Sequence, residues 1–323
     1  MKQALMDNLG AFYARECQSS GGLAILPILG KSAAQKEFLS LHQAMAQGTI
    51  LISEVSQGGS VPNLKVVNRG RIPVLLLDGE ELRGAKQNRV LNASVIVAAE
   101  SELEIPVSCT ESGRWHYNAP QFEESGNFVA SSIKPGKMES VSQNLKMCAS
   151  FKSDQGKVWD DIRSLHQTHN TCSATSAMAD VYKERGKSLD EVCAAFPLLE
   201  GQCGIYVEIG GRFAGVDFVS HPKVWKDNHA KIIRSYAIDV VEPSLKPETI
   251  DQSKLDELFR GIMQSEVSWF KSVGLGEDIR VEQETLIGSA LLWDKELVHF
   301  AAYPRQIRRE REHYSSPRHR GGS

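Results

Sequence analysis

The six cysteines, Cys17, Cys109, Cys148, Cys172, Cys193 and Cys203, lie far apart, and no C-x-x-C pair occurs among them. That argues against a disulfide scaffold and against a zinc site built on cysteine pairs; reduced, mostly buried thiols are expected. An excess of charge of one sign is lacking too. The 37 basic residues stand against 40 acidic ones, a net charge of −3, so the body of the chain offers no broad cationic surface for nucleic acid or an anionic membrane. Long apolar runs are also missing. Stretches such as Ile72 to Leu77 fall far short of the ~20 residues a membrane helix needs. The opening MKQALMDNLGAFYAREC is interrupted by Asp7 and Glu16 and is followed by no small-residue cleavage site, so a cytosolic protein is expected. There is no Walker lysine motif and no G-x-S-x-G elbow. Gly274-Leu275-Gly276-Glu277-Asp278 lacks a third glycine and follows no strand pattern, which speaks against Rossmann-type dinucleotide binding.

What is present is an average globular composition, 41% hydrophobic and 24% charged over 323 residues, enough for one large domain or two ordinary ones. The first ~115 residues favour strands: Leu23 to Leu29, Thr49 to Val55, Leu64 to Asn68 and Ile72 to Leu77, each bounded by Gly, Pro or Asn. In ELEIPVSC, Leu103, Ile105 and Val107 alternate with Glu102, Glu104 and Pro106, and Pro106 suggests an edge strand or a bulge. Phe38, Leu41 and Met45 predict a helix over 35–46. Residues 118–137, rich in Ser, Gly, Pro and Asn, read as a loop or linker. Helical spacing follows in KVWDDIRSL after a Ser153-Asp154 cap, then over 174–185, 226–240 and 252–270. A hairpin turns at Gly210-Gly211, and three strands are expected between Asp278 and Ala301. The expected fold is α+β: a β-rich, sandwich- or barrel-like part over 1–117 packed on a helical, two-layer α/β part over 138–304. A basic tail, 305–323, carries six arginines, has no apolar face and is expected to be disordered; nucleic acid enters as a partner only weakly, through this tail.

One polar segment stands out. DGEELRGAKQNRVLN, residues 78–92, directly follows the apolar run 72–77 and holds Asp78, Glu80, Glu81, Arg83, Lys86, Gln87, Asn88, Arg89 and Asn92. Glu111, Arg114, Trp115 and His116 form a second group, and Glu54 with Gly58, Gly59 and Ser60 a third. All three come at strand ends, so neighbouring strands could gather them on one rim. Carboxylates there can serve as general bases or hold magnesium, arginines pair with phosphate, and Trp115 offers a stacking face. Asp78, Glu80, Glu81 and Glu111 are the candidate catalytic acids and bases. Glu54, Arg83, Lys86, Gln87, Asn88, Arg89, Arg114 and Trp115 are the candidate ligand contacts. The bland alternative is a solvated hairpin laced with ion pairs. His166, His169 and Cys172 are three apart each time, but Asn170 and Thr171 are poor helix formers, so a metal site there is disfavoured. Cys109 reads as an inert buried thiol, His299 as a packing residue, and Asp217 as either a buried partner for an arginine or a support for a site.

Several strings taken in order, LLLDGEELRGAKQNRVLN, IPVSCTESGRW, SDQGKVWDDI, SAMADVYKE, IGGRFAGVDF, RSYAIDVVE and VGLGEDIR, resemble a bacterial family named the ARG and rhodanese-phosphatase-superfamily-associated protein domain. The resemblance runs from about residue 20 to about residue 302 and implies that the two parts form one unit. The chain fits the family's S-D-Q-G-x-V-W from Ser153 to Trp159, whereas the His166–Cys172 triplet lies outside that pattern. The family name implies association with ADP-ribosylglycohydrolases and phosphatase-like proteins, hence NAD, ADP-ribose or nucleotide processing; it carries over no catalytic residues. Together these point to a protein that binds, and as a hydrolase would cleave, a nucleotide-like or phosphorylated small molecule. The alternative is a non-catalytic sandwich that acts as a sensor or through partner enzymes.

Overall fold

The computed structural model describes residues 2–30, 36–56, 62–240 and 249–305. Gly58, Gly59 and Ser60 lie outside them, as does the tail expected after Arg305. Eight helices and 18 strands occur among the described residues, so the fold is α+β with a β-rich part. No helix among them is long and apolar enough to cross a membrane.

The β-rich part consists of two sheets around one apolar core. The six-stranded sheet runs, in spatial order, Phe122–Phe128, Glu80–Gly84, Arg89–Leu91, Ser101–Cys109, Asn63–Asn68 and Ile50–Glu54. The three-stranded sheet is Val95–Val97, Val74–Leu76 and Leu39–Ser40. Ile50, Ile52, Leu64, Val66, Leu82, Leu91, Ile105 and Val107 from the first meet Val74, Leu76, Val95 and Val97 from the second. This is the period-two burial that strand alternation dictates. Pro106 does not lie on an edge strand. It sits where the partner of Ser101–Cys109 changes: residues up to Pro106 pair with Asn63–Asn68, and Val107 to Cys109 pair with Arg89–Leu91. A residue without an N–H fits such a switch.

The rest of the chain builds a nine-stranded antiparallel sheet. Leu23–Gly30 pairs with Gln202–Ile209, and Phe12–Ala14 and Gln18–Ser20 pair with Leu23–Gly30, so these first strands belong to this sheet and not to the β-rich core beside them in sequence. One face packs beneath helices Lys2–Leu9 and Ser253–Gln264 through Leu5, Leu9, Leu255 and Ile262. The other carries helices Lys134–Cys148, Gln155–His169 and Pro222–Ala237. Val90, Leu75, Leu77 and Ile96 of the β-rich part enter that second core, which joins the two parts without a break.

Several local expectations change. Helix 35–46 shortens to Leu41–Ala46, because Ser40 takes an extended conformation and caps it: the Gln43 N–H donates to Ser40 Oγ (3.0 Å) and Gln43 Oε1 accepts from Ser40 N–H. Residues 118–137 hold strand Phe122–Phe128 and the start of helix Lys134–Cys148. The helix expected over 252–270 stops at Gln264, and EVSWFK continues as a strand paired with Glu277–Glu282, where β-branched and aromatic residues favour the pleated surface. The Asp154 cap holds, since its carboxylate accepts the Lys157 N–H at 3.1 Å.

Candidate functional site

The polar residues of 78–92 divide according to which way their strand points them. Asp78 pairs with Lys137, which also donates to the Leu91 carbonyl at 2.9 Å. Glu80 pairs with Lys231 at 3.2 Å; Lys231 also bonds Glu124, which His42 meets at 3.0 Å. Burial raises the Glu80 carboxyl above its ordinary value even against the pull of Lys231. Glu81 is fully enclosed and accepts from Thr110 Oγ1 at 2.7 Å. Burial pushes it up to about 7, with Thr110, Ser125 and Asn127 holding it back. These three carboxylates therefore face the junction with the helical part. Arg83 lies on the outside in an exposed pair with Glu123 at 3.5 Å.

Glu111 and Arg114 form a brace. Arg114 Nε donates to Glu111 Oε1 at 2.9 Å and Nη2 to Oε2 at 2.7 Å, while Nη1 reaches the Ala85 carbonyl at 2.8 Å. The Asn88 N–H donates to Glu111 at 3.1 Å and Asn88 Oδ1 accepts from Arg114 at 3.2 Å. Burial raises the Glu111 carboxyl, but Arg114, Thr175 and Asn88 together bring it below its ordinary value. The brace ties segment 84–88 to segment 111–116. Gly84 turns with φ +121, and a side chain there would meet the Gln121 carbonyl at 2.6 Å; its close neighbour is the protein's own backbone.

The remaining residues converge at one end of the β-rich core. The buried stripe Ile50, Ile52, Glu54 ends in a carboxylate, and Leu91 and Val107 are succeeded on the same face by Arg89 and Cys109, which are register partners. Arg89 Nη1 donates to Gln87 Oε1 at 2.8 Å and to Cys109 Sγ at 2.9 Å. Burial drives the Cys109 thiol up to about 11 despite that neighbour. Arg89 Nη2 lies 3.7 Å from Glu54 Oε1, beyond hydrogen-bond reach; the two side chains are 0% and 3% exposed. Among the described residues, Arg89 Nε and Nη2 and both Glu54 carboxylate oxygens have no hydrogen-bond partner. Over them sits an aromatic cap. Trp115 and Tyr117 are each 47% exposed, the Lys86 ammonium is 5.2 Å from both ring centroids, and the Arg89 guanidinium is 5.7 Å from Trp115. Glu54, Lys86, Gln87, Arg89 and Trp115 are thus brought together, with Asn88, Glu111 and Arg114 bracing them from behind, while Asp78, Glu80, Glu81 and Arg83 point elsewhere. Tyr117 and Cys109 complete the group. Tyr117 was legible as a second aromatic two residues after Trp115, and Cys109 as the polar end of an alternating strand.

Other singled-out residues settle into packing. Asp217 is held by Lys134 at 3.2 Å, Tyr236, and Tyr303 at 2.7 Å; its cation is a lysine, not an arginine. His299 meets Ser94 at 3.0 Å and burial pushes it down to about 4. His166 bonds Thr171 and the Ala177 carbonyl. No group of three His, Cys, Asp or Glu among the described residues could hold a metal ion. Leu275 N–H bonds the Ile96 carbonyl at 2.9 Å, so the Gly274–Gly276 turn packs on the β-rich part. Gln155 grips the Cys109 backbone with both ends of its amide, at 2.7 and 2.9 Å, which gives the S-D-Q-G string a positioning role behind the site strand.

No curated protein and no solved structure matches the chain. Residues 12–303 match the family model described as the ARG and Rhodanese-Phosphatase-superfamily-associated Protein domain, and the chain belongs to that family.

Proposed function

We propose that the protein binds a nucleotide-like or phosphorylated small molecule at the Trp115 end of the β-rich part, and that it recognises this ligand without hydrolysing it. The observation that carries the reading is the pair of half-exposed rings, Trp115 and Tyr117, set against the Lys86 and Arg89 cations. Flat aromatic faces beside fixed positive charge suit a ligand with a base at one end and phosphate at the other. The mouth of a β-barrel-like core is a common place for such a site. Recognition is favoured over hydrolysis because each candidate base is already engaged: Asp78 by Lys137, Glu80 by Lys231, Glu81 by Thr110 and Glu111 by Arg114. The family name, with its ADP-ribosylglycohydrolase and phosphatase associations, supports a nucleotide-derived ligand acting in the company of such enzymes. Calorimetric titration with NAD, ADP-ribose and purine nucleotides tests it. Binding by at least one of them, lost in Trp115→Ala, is the expected result. Silence from all of them, or binding that Trp115→Ala leaves untouched, overturns it.

A further inference from the structure

The unpaired atoms behind Trp115 have a pattern. Glu54 offers two carboxylate oxygens, both acceptors, and Arg89 offers Nε–H and the Nη2 N–H groups, all donors. They are side by side, 3.7 Å apart at their nearest point, and almost wholly enclosed. A buried carboxylate without hydrogen bonds, beside a guanidinium bonded only through Nη1, costs free energy that a well-placed partner recovers. Arg89 is prevented from turning toward Glu54, because its Nη1 is committed to Gln87 and Cys109. Glu54 is fixed at the end of its strand, whose five residues pair with Leu64 to Asn68. What the pair lacks is a flat group with two donors followed by two acceptors along one edge.

We infer that this pair reads the edge of a guanine base, the guanine of a free nucleotide; the inference rests on the nucleotide-binding reading above. Guanine presents N2–H, N1–H, O6 and N7 in that order. The first two match the Glu54 oxygens, and O6 with N7 matches the paired N–H groups of an arginine, the geometry in which arginine selects guanine elsewhere. Adenine presents no two neighbouring donors, so it leaves Glu54 unsatisfied. Trp115 lies over the guanidinium, so the base enters by lifting the indole and then stacks against it. Lys86 is buried with its ammonium 5.2 Å from both the Trp115 and the Tyr117 ring centroid, and beside these half-exposed rings it is the cation that meets the 5′-phosphate.

Calorimetric titration of the intact protein with GMP, IMP, 7-deaza-GMP, AMP and ADP-ribose tests the inference. GMP should bind tightest. IMP, which lacks the N2 amino group, and 7-deaza-GMP, which lacks N7, should each bind about tenfold or more weakly, since one bidentate contact is broken in each. Glu54→Gln, which turns one acceptor into a donor, should reduce the preference of GMP over AMP about tenfold, the remainder being kept by Arg89 at O6 and N7. If Glu54→Gln does not fold, the series on the wild-type protein decides alone. AMP or ADP-ribose binding as tightly as GMP, with Trp115 still required, overturns the guanine reading and leaves the nucleotide site standing. Equal binding of GMP and 7-deaza-GMP overturns the role given to Arg89. Binding by none of the five overturns both readings together.

Discussion

Replacing Glu81 with glutamine separates a buried carboxyl from a working one. Glu81 is enclosed at the junction of the two parts, where burial holds its carboxyl near 7 against an ordinary 4.5. A carboxyl raised in this way contributes stability that is complete below its unfolded value and is lost as pH rises through its folded value. For these two values the loss between pH 5 and pH 8 is about 2.5 kcal/mol. Glutamine keeps the shape and the acceptor for Thr110 without titrating. Urea unfolding of both proteins across that range is the assay. The variant should gain on the wild type by about 2–3 kcal/mol on going from acid to alkaline pH. Taking the difference matters because His299 and His229, pushed down to about 4 by burial, contribute in the opposite sense: their stabilisation is full above the ordinary histidine value and fades as pH falls toward about 4. A difference that stays constant within roughly 0.5 kcal/mol would show that Glu81 is ionised throughout and refute the account of its surroundings.

Other outcomes follow from the same contacts. Asp217→Asn leaves the buried Lys134 without its counter-ion and should cost about 3–5 kcal/mol in chemical denaturation; an unchanged midpoint would contradict that pairing. Arg114→Ala should also cost about 3–5 kcal/mol, because the brace to Glu111, Ala85 and Asn88 is enclosed. Arg83→Ala, in an exposed pair, should cost less than about 1 kcal/mol. Equal losses in those two arginine variants would mean that one of them is wrongly placed.

Much of the architecture was legible because strands announce themselves by alternation. Leu103–Ile105–Val107 marked the buried face of its strand, and the Gly210-Gly211 hairpin forms between Gln202–Ile209 and Arg212–Val219. Where periodicity failed, a local feature decided. Ser40 capped a short helix, and Val267, Trp269 and Phe270 drew the end of an expected helix into a sheet edge. The candidate site was legible as a set of polar strand ends but not as a place. Asp78, Glu80 and Glu81 adjoin Arg89 in sequence, yet their partners Lys137, Lys231 and Thr110 arrive from distant segments. Direction was recoverable only where a stripe could be followed outward, as from Ile50 and Ile52 to Glu54.

The central claim is that the enclosed Arg89–Glu54 pair beneath Trp115 receives the ligand. The most direct measurement is the ¹⁵N–¹H resonance of the Arg89 side-chain Nε–H, followed by NMR as GMP is added. Arg89 Nε has no hydrogen-bond partner among the described residues, so a bond to the base should move its proton strongly downfield and protect it from exchange with water. The Trp115 indole signal should move in step. An Arg89 Nε–H that stays fixed while resonances elsewhere in the protein shift would place the ligand at another site and contradict the account.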